Sequence, residues 1–569
     1  MTGKIKPFKK TPVLGKEKHQ QRDGTDGAEA KSGEEKVIQW LELALAASLI
    51  LILIILHFTV LLHSGGLWRD EANSVNISNL PSVGDMWEKL PFDSFPILWL
   101  LILWVWSFIG FGGTDLVLRT LGLIIGLGVL GALWYAARTL GTRLPLIALV
   151  LFAMCPALFA GDSLRAWGLG VLLILLALAS MWRVLYNPTP WRMVVCAAIV
   201  ILSVQCLYHN SFLVFAICMG AAAVGFYRRD WKLTLFPLGA GVLAALSLLP
   251  YLTTISIVRD FNIIRVFPVS LSWILDKFRL AIDPLGLLLT WVWAVLALLT
   301  VIIFIRVLVK SNQAWPAKKK ELAIFLLTTM LISIIAYIAF IKILSLPTQS
   351  WYYLPLMAVM IIIIDKGVDI VCEGSSAGRI IRLVFSLSIA VFVFMGLWND
   401  AHVRKTNMDV LAAKLETLAG KDDLIVVTPF YYGISFERYY KGSAAWVTLP
   451  EIADHNLHRY DMLKYKMMEK EPIKPVLQKM TKTLQNGHRV WLVGGLNFLR
   501  PGEIPGVLPP APNSPDGWSE GAYQSAWSDM AAFTLQTYGH TLEKISIPVL
   551  DPVSEFENLP LLVVQGRSH

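Results

Sequence analysis

The chain has 569 residues, 55% of them hydrophobic and only 16% charged, with a formal net charge of +9. A soluble protein is roughly 45–50% apolar and about 25% charged, so this balance excludes an ordinary soluble enzyme and excludes disorder as the main theme. The positive charge does not point to nucleic acid, because most Lys and Arg sit in short patches beside apolar runs.

Residues 1–36 are polar, with nine Lys/Arg against six Asp/Glu, and read as a disordered basic cytoplasmic tail. The apolar run Val37 to Leu62 is too long for a signal-peptide core and reads as a first spanning helix. Further spans are predicted at about 118–137, 144–160, 167–185, 191–208, 211–227, 233–252, 285–308, 321–344, 350–365 and 380–398, eleven with the first. Four basic loops then fall on the side of the N-terminal tail: Arg138/Arg143, Arg228/Arg229/Lys232, Arg306/Lys310/Lys318–Lys320 and Lys366/Arg379/Arg382. The positive-inside rule makes that side cytoplasmic. The short apolar stretch 95–111 decides the parity. It is read as interfacial or re-entrant, with Trp99, Trp104 and Trp106 at the interface, so that 63–117 forms one external loop.

The transmembrane domain thus covers 37–399, and the composition changes after Trp398. Residues 400–569 alternate short β-like runs (424–428, 445–449, 490–493, 545–549, 561–565) with helical stretches (464–485, 523–538). The fold class expected is a polytopic α-helical membrane protein of about eleven spans plus interfacial helices, with a C-terminal α/β domain outside the cytoplasm. The five Cys all precede that domain and form no CxxC pair, so neither a disulfide scaffold nor a zinc site is suggested.

Candidate chemistry lies in the external segments. Trp68-Arg69-Asp70-Glu71 follows the first span, Asp93-Ser94-Phe95-Pro96 opens the stretch 95–111, and Asp162-Ser163-Leu164-Arg165 joins two spans. Charged groups at a span end are commonly solvated caps, but several converging on one side point to a site. Segment 253–284 adds Arg259 and Arg265, which read either as headgroup anchors or as phosphate ligands. Lys342, near the external end of a later span, is a further candidate cation. Asp454-His455-Asn456-Leu457-His458 reads as a solvated surface stretch or helix cap. No GxGxxG, Walker, HExxH or GxSxG motif occurs, so no nucleotide cofactor is expected.

Over about residues 37–400 these segments resemble the glycosyltransferase-C superfamily, in the branch of dolichyl-phosphate-mannose protein mannosyltransferases and aminoarabinose transferases. The family's Asp-Glu pair after the first helix is similar to Asp70-Glu71. Its acid-x-Pro-Pro-Leu segment is similar to Asp93-Ser94-Phe95-Pro96-Ile97, with Phe for the first Pro and Ile for Leu. Its Arg-x-Tyr-x-Leu segment is similar to Arg165-Ala166-Trp167-Gly168-Leu169, and its helix-opening His to His209. A later Arg-Tyr-x-x-Pro segment is matched in part by Tyr352-Tyr353-Leu354-Pro355.

The resemblance implies transfer of a sugar from a polyprenyl-phosphate carrier to an acceptor hydroxyl on a glycan, lipid or protein, usually with inversion. Asp70 would be the general base, with Glu71 orienting it or binding the acceptor. Arg165, with Arg259 or Arg265, would hold the donor phosphate. Asp93 and His209 would hold a divalent metal, magnesium, manganese or zinc. Asp162, on the same side, is a further candidate. The protein would sit in a bacterial inner or plasma membrane, among membrane lipids. Two other classes compete: a transporter or flippase for a lipid-linked substrate, which predicts mid-membrane charges and internal symmetry, and a non-catalytic scaffold.

Overall fold

The computed structural model describes residues 22–262, 269–283, 286–310, 316–345, 347–512 and 520–566, the side chains of 22–32 and 259–262 excepted. Arg265 and the side chain of Arg259 therefore lie outside the described residues. In chain order the helical part comprises α1 (Arg22–His63), α2 (Arg69–Ser78), α3 (Val83–Lys89), α4 (Leu98–Trp106), α5 (Asp115–Thr139), α6 (Leu146–Ala148), α7 (Trp167–Tyr186), α8 (Pro190–Cys206), α9 (Asn210–Arg228), α10 (Trp231–Leu246), α11 (Leu252–Asn262), α12 (Leu271–Ile282), α13 (Leu288–Val309), α14 (Ala317–Leu344), α15 (Leu354–Cys372) and α16 (Ser376–Ala401). Eight helical segments among the described residues are long and apolar enough to cross a membrane.

The difference from eleven has local causes. Helix α8 has only 17 residues, and α15 carries Asp365, Lys366 and Asp369 in its second half. Segment 144–160 is not one helix: α6 runs into a π turn (Leu149–Ala153) and then a 3-10 turn (Pro156–Ala160). Pro156 lacks the amide that a continuing helix needs. The free amides at the start of this segment are capped from α15, where Asp365 Oδ1 accepts from Ile147 N (3.0 Å) and Ala148 N (3.3 Å).

Ion pairs define the two ends of the bundle. At one end Glu42 meets Arg379 and Arg382, Arg228 meets Glu321, Lys319 meets Glu373, and Lys366 donates to the Gly141 carbonyl. The basic loops thus gather together. At the other end Asp93 contacts Arg165, and Asp115, at the start of α5, pairs with Arg438. Helix α4 lies between Asp93 and Asp115, so it leaves and returns to the same end. Its nine residues span about 14 Å, half a hydrocarbon core. Gly110, at φ 100°, supplies the reversal.

The C-terminal part folds around a five-stranded sheet of order β2-β1-β3-β5-β4, with β1 (Leu424–Val427), β2 (Ala445–Thr448), β3 (Arg489–Val493), β4 (Gly539–Ile545) and β5 (Leu561–Gly566). Strands β1, β2 and β3 are parallel, and β5 runs antiparallel to β3 and β4. Helix α17 (Met408–Leu418) packs on one face through Met408, Leu411 and Leu415. α20 (Lys474–Gln485) and α21 (Glu520–Tyr538) cover the other, after α18 (Gly433–Tyr439) and α19 (Tyr460–Met468). Both faces of β1 are covered, which is why it reads as the uninterrupted apolar run Leu-Ile-Val-Val. The fourth strand lies at 539–545, earlier than the predicted 545–549, and the predicted helix 464–485 is split by the turn before Pro475.

Candidate functional site

Helix α2 is built for two jobs. Its first turn carries Asp70 and Glu71, where carboxylates complement the helix dipole. Glu71 is fully buried. Its Oε1 accepts from Arg119 Nη1 (2.8 Å) and Leu164 N (2.9 Å), and its Oε2 from Arg119 Nη2 (2.7 Å) and Trp68 N (3.3 Å). Four donors saturate this carboxylate, so Glu71 fastens α2 to α5 and to the chain before α7 and leaves no lone pair for an acceptor.

Asp70 is different. Its side chain is 29% exposed and faces a cavity of about 540 Å³. The C-terminal domain reads the same face of α2, on which Asp70, Asn73 and Asn76 recur every three residues. His458 Nε2 stands 3.2 Å from Asp70 Oδ1, His458 N donates to Asn73 Oδ1 (3.0 Å), and Asn76 Nδ2 donates to the Asn456 carbonyl (2.8 Å). Burial alone would raise the Asp70 pKa. The His458 contact and the charges of Arg69 and Arg165 outweigh it and hold this carboxyl well below the usual range. Burial, with the charges of Arg69 and Arg165, lowers the His458 pKa against the opposing pull of Asp70. The Asp-His-Asn-Leu-His stretch is therefore no solvated cap. It is a docking segment, and its second His belongs to the site.

Arg165 joins the three external segments. Its Nη1 donates to the Asp70 carbonyl (2.9 Å) and Ser74 Oγ (2.7 Å) and lies 2.9 Å from Asp93 Oδ1. Its guanidinium carbon sits 4.4 Å over the Phe95 ring. Among the described residues, Nε and Nη2 have no protein partner, and Arg165 lines the cavity. Lys405, just beyond α16, lines it too. Burial lowers the Lys405 pKa, and among the described residues its ammonium has no carboxylate within 4.0 Å. Aromatic rings supply much of the wall: Trp68, Trp167, Trp351, Tyr352, Tyr431 and Phe556.

The remaining predicted residues divide. Asp93 is held by Arg165, by Ser74 Oγ (2.6 Å) and by Ser94 N (2.7 Å). His209 sits among the rings of Trp167, Tyr352 and Phe340, at centroid distances of 5.4, 5.2 and 5.1 Å. Among the described residues no three His, Cys, Asp or Glu side chains are grouped to hold a metal ion. With Asp93 committed to a guanidinium and His209 boxed by rings, the donor set does not fit the metal pair that the resemblance suggested. Asp162 also departs from the site. It turns into the bundle, where its Oδ2 meets His57 Nδ1 of α1 at 2.6 Å. Gly122 and Gly126 of α5 make this possible: a Cβ on Gly122 would overlap the Asp162 carbonyl, and one on Gly126 would overlap Asp162 Oδ1 and stand 2.8 Å from His57 Nδ1.

Sequence reasoning gave no site role to Arg69, Lys405, His458 or Glu557. Glu557 is buried and accepts from Arg69 N (2.9 Å), Thr406 Oγ1 (2.9 Å) and Ser435 Oγ (2.6 Å), and burial pushes its carboxyl up to about 7. For His458 the one signal available was the pair of His beside an Asp within residues 454–458.

No family model matches the chain, and no curated protein does. Among solved structures the chain is similar to the oligosaccharyltransferase of Archaeoglobus fulgidus in complex with Zn and sulfate, at 13% identity and TM-score 0.46, over 78% of this chain and 68% of that one. It is similar to ArnT of Cupriavidus metallidurans in the apo state, at 14% identity and TM-score 0.47, over 79% of this chain and 92% of that one. For ArnT bound to undecaprenyl phosphate the values are 15% and 0.45, over 92% and 98%. Both neighbours are membrane glycosyltransferases of the glycosyltransferase-C fold.

Proposed function

We propose that this protein is a membrane glycosyltransferase that moves a sugar from a polyprenyl-phosphate carrier to an acceptor hydroxyl at the end of the bundle bearing Asp70. The observation that carries this reading is the shared cavity: the partly exposed Asp70 carboxylate, with Asp400 and Glu520 also in the lining, the cations Arg165 and Lys405 with unused donors, and aromatic walls. Aromatic faces suit the C–H surface of a sugar, and a guanidinium suits a phosphate.

In this reading the acceptor hydroxyl attacks the anomeric carbon as the bond from that carbon to the phosphate oxygen breaks, which inverts the centre. The electron pair leaves with the phosphate, and Arg165 with Lys405 offsets the growing charge. The hydroxyl proton passes to Asp70. A depressed pKa keeps Asp70 ionised and ready; the proton moves late, once the attacking oxygen has become acidic. His458 fixes the rotamer of Asp70. The gathering of basic loops at the opposite end supports an extracytoplasmic site.

The test is transfer of labelled sugar from a polyprenyl-phosphate donor in proteoliposomes. Asp70→Asn, which keeps the shape of the side chain, is expected to reduce turnover about 10³-fold or more. Turnover within tenfold of the parent would remove Asp70 as the base.

A further inference from the structure

A second cavity, of about 410 Å³, lies between α7 and α8 at the end of the bundle that carries the basic loops. It is lined by facing stripes. Leu176, Ser180 and Arg183 recur at helical spacing on α7, and Arg192, Val195 and Ile199 do so on α8. Each stripe is apolar toward the middle of the bundle and ends in an arginine. Arg183 lies 16 residues, about 24 Å, along α7 from Trp167, so this groove is remote from the Asp70 cavity.

The charges in the groove are unbalanced. Arg183 Nη1 donates to Tyr135 Oη (2.6 Å), and Arg192 Nη1 donates to the Asn187 carbonyl (3.1 Å). Among the described residues neither guanidinium has a carboxylate within 4.0 Å. Arg228, Arg379 and Arg382 of this end meet Glu321 or Glu42, whereas among the described residues Arg183 and Arg192, like Arg138, Arg143, Arg229 and Arg306, have no carboxylate that close; what sets Arg183 and Arg192 apart is that both line one groove. Trp191 stands beside the mouth, 74% exposed, as a ring at a membrane–water interface does.

We propose that this groove binds one anionic phospholipid of the leaflet facing the basic end. Its phosphate would lie between Arg183 and Arg192, and an acyl chain would run along Leu176, Val195 and Ile199. The chemistry selects this occupant. Two unpaired guanidiniums select an anion, and an apolar slot running away from them has no use for a free ion. The inference is independent of the reading of the Asp70 cavity.

The test is native mass spectrometry of the full-length protein, titrated with phosphatidylglycerol or with phosphatidylcholine of the same chains. The parent is expected to retain one phosphatidylglycerol about tenfold more tightly than phosphatidylcholine. R183Q/R192Q should bring the two lipids level, and I199W, which fills the apolar slot, should weaken both. Inorganic phosphate should not displace the lipid. Equal retention of both lipids by the parent, unchanged phosphatidylglycerol binding by R183Q/R192Q, or displacement by phosphate would each overturn the proposal. Thermal unfolding of the variants in detergent checks that they are folded; if R183Q/R192Q is not, R183K/R192K, which keeps the charge and loses the fork, is expected to hold an intermediate preference, and the parent's preference still decides.

Discussion

Consider His458→Leu. The substitution leaves the backbone bond from residue 458 to Asn73 in place and removes the ring nitrogen that stands 3.2 Å from Asp70 Oδ1. A polar contact at this distance without hydrogen-bond alignment is worth about 0.5–1.5 kcal/mol. If that contact holds the Asp70 rotamer, its loss raises the barrier by a similar amount, or about 2- to 10-fold in kcat. KM for the lipid donor should change less than twofold, because Arg165 and Lys405 are untouched. The pH profile carries a second signature. The His458 contact is one of the influences holding the Asp70 pKa down. Its removal lets that pKa rise, so the acid limb of kcat/KM must move to higher pH. His458→Gln, which can still donate, should recover part of the rate. Steady-state kinetics in proteoliposomes at pH 7 read the rate effects, and profiles extended below pH 4 read the limb, which in the parent lies below the usual carboxylate range. A kcat for His458→Leu within twofold of the parent, with no acid limb moved toward pH 4, would refute the coupling between the C-terminal domain and Asp70.

Three further outcomes follow from the same geometry. Glu71→Gln strips the partner from the buried Arg119, which should cost about 3–5 kcal/mol and show as a lowered unfolding temperature and poor yield. Gly126→Ala forces a methyl against Asp162 and His57 and should destabilise by about 1–3 kcal/mol, whereas Gly131→Ala, with open space around its Cβ, should be neutral; thermal unfolding in detergent compares them. Glu557 has a folded pKa of about 7 against an ordinary value of 4.5. The folded state therefore holds the extra proton between these values, and this group's contribution to stability falls as pH rises from about 4.5 to about 7, then levels. Glu557→Gln should flatten that slope in unfolding measured against pH.

Most of the helical part was legible because apolar runs of about twenty residues have few alternatives in lipid. That α4 is too short to span was legible from its length, but its tryptophans misled in part: Trp99 is fully buried in the core and does not lie at an interface. The break of 144–160 was not, since periodicity is blind to where Pro156 and the distant Asp365 divide the backbone bonds. That Asp70, Asp93 and Arg165 lie together was legible because three charged segments fell at one end of predicted spans. Glu71 illustrates the limit. Its neighbour in sequence faces the cavity, yet Arg119, 48 residues on, turns Glu71 into a structural clamp. Asp162 was drawn inward by two glycines that leave no room for a Cβ. His458 and Lys405 were missed for a similar reason. Their meaning depends on how the C-terminal domain docks on α2, and no local pattern encodes a contact across almost 400 residues.

The claim on which the rest turns is that one cavity seats a polyprenyl phosphate between Arg165 and Lys405. Native mass spectrometry of the purified protein with undecaprenyl phosphate measures this directly. The parent should bind one equivalent in preference to phosphatidylglycerol, and Arg165→Gln combined with Lys405→Gln should lose about 10- to 100-fold in affinity while remaining folded. Undecaprenyl phosphate bound equally by the parent and the double variant would contradict it.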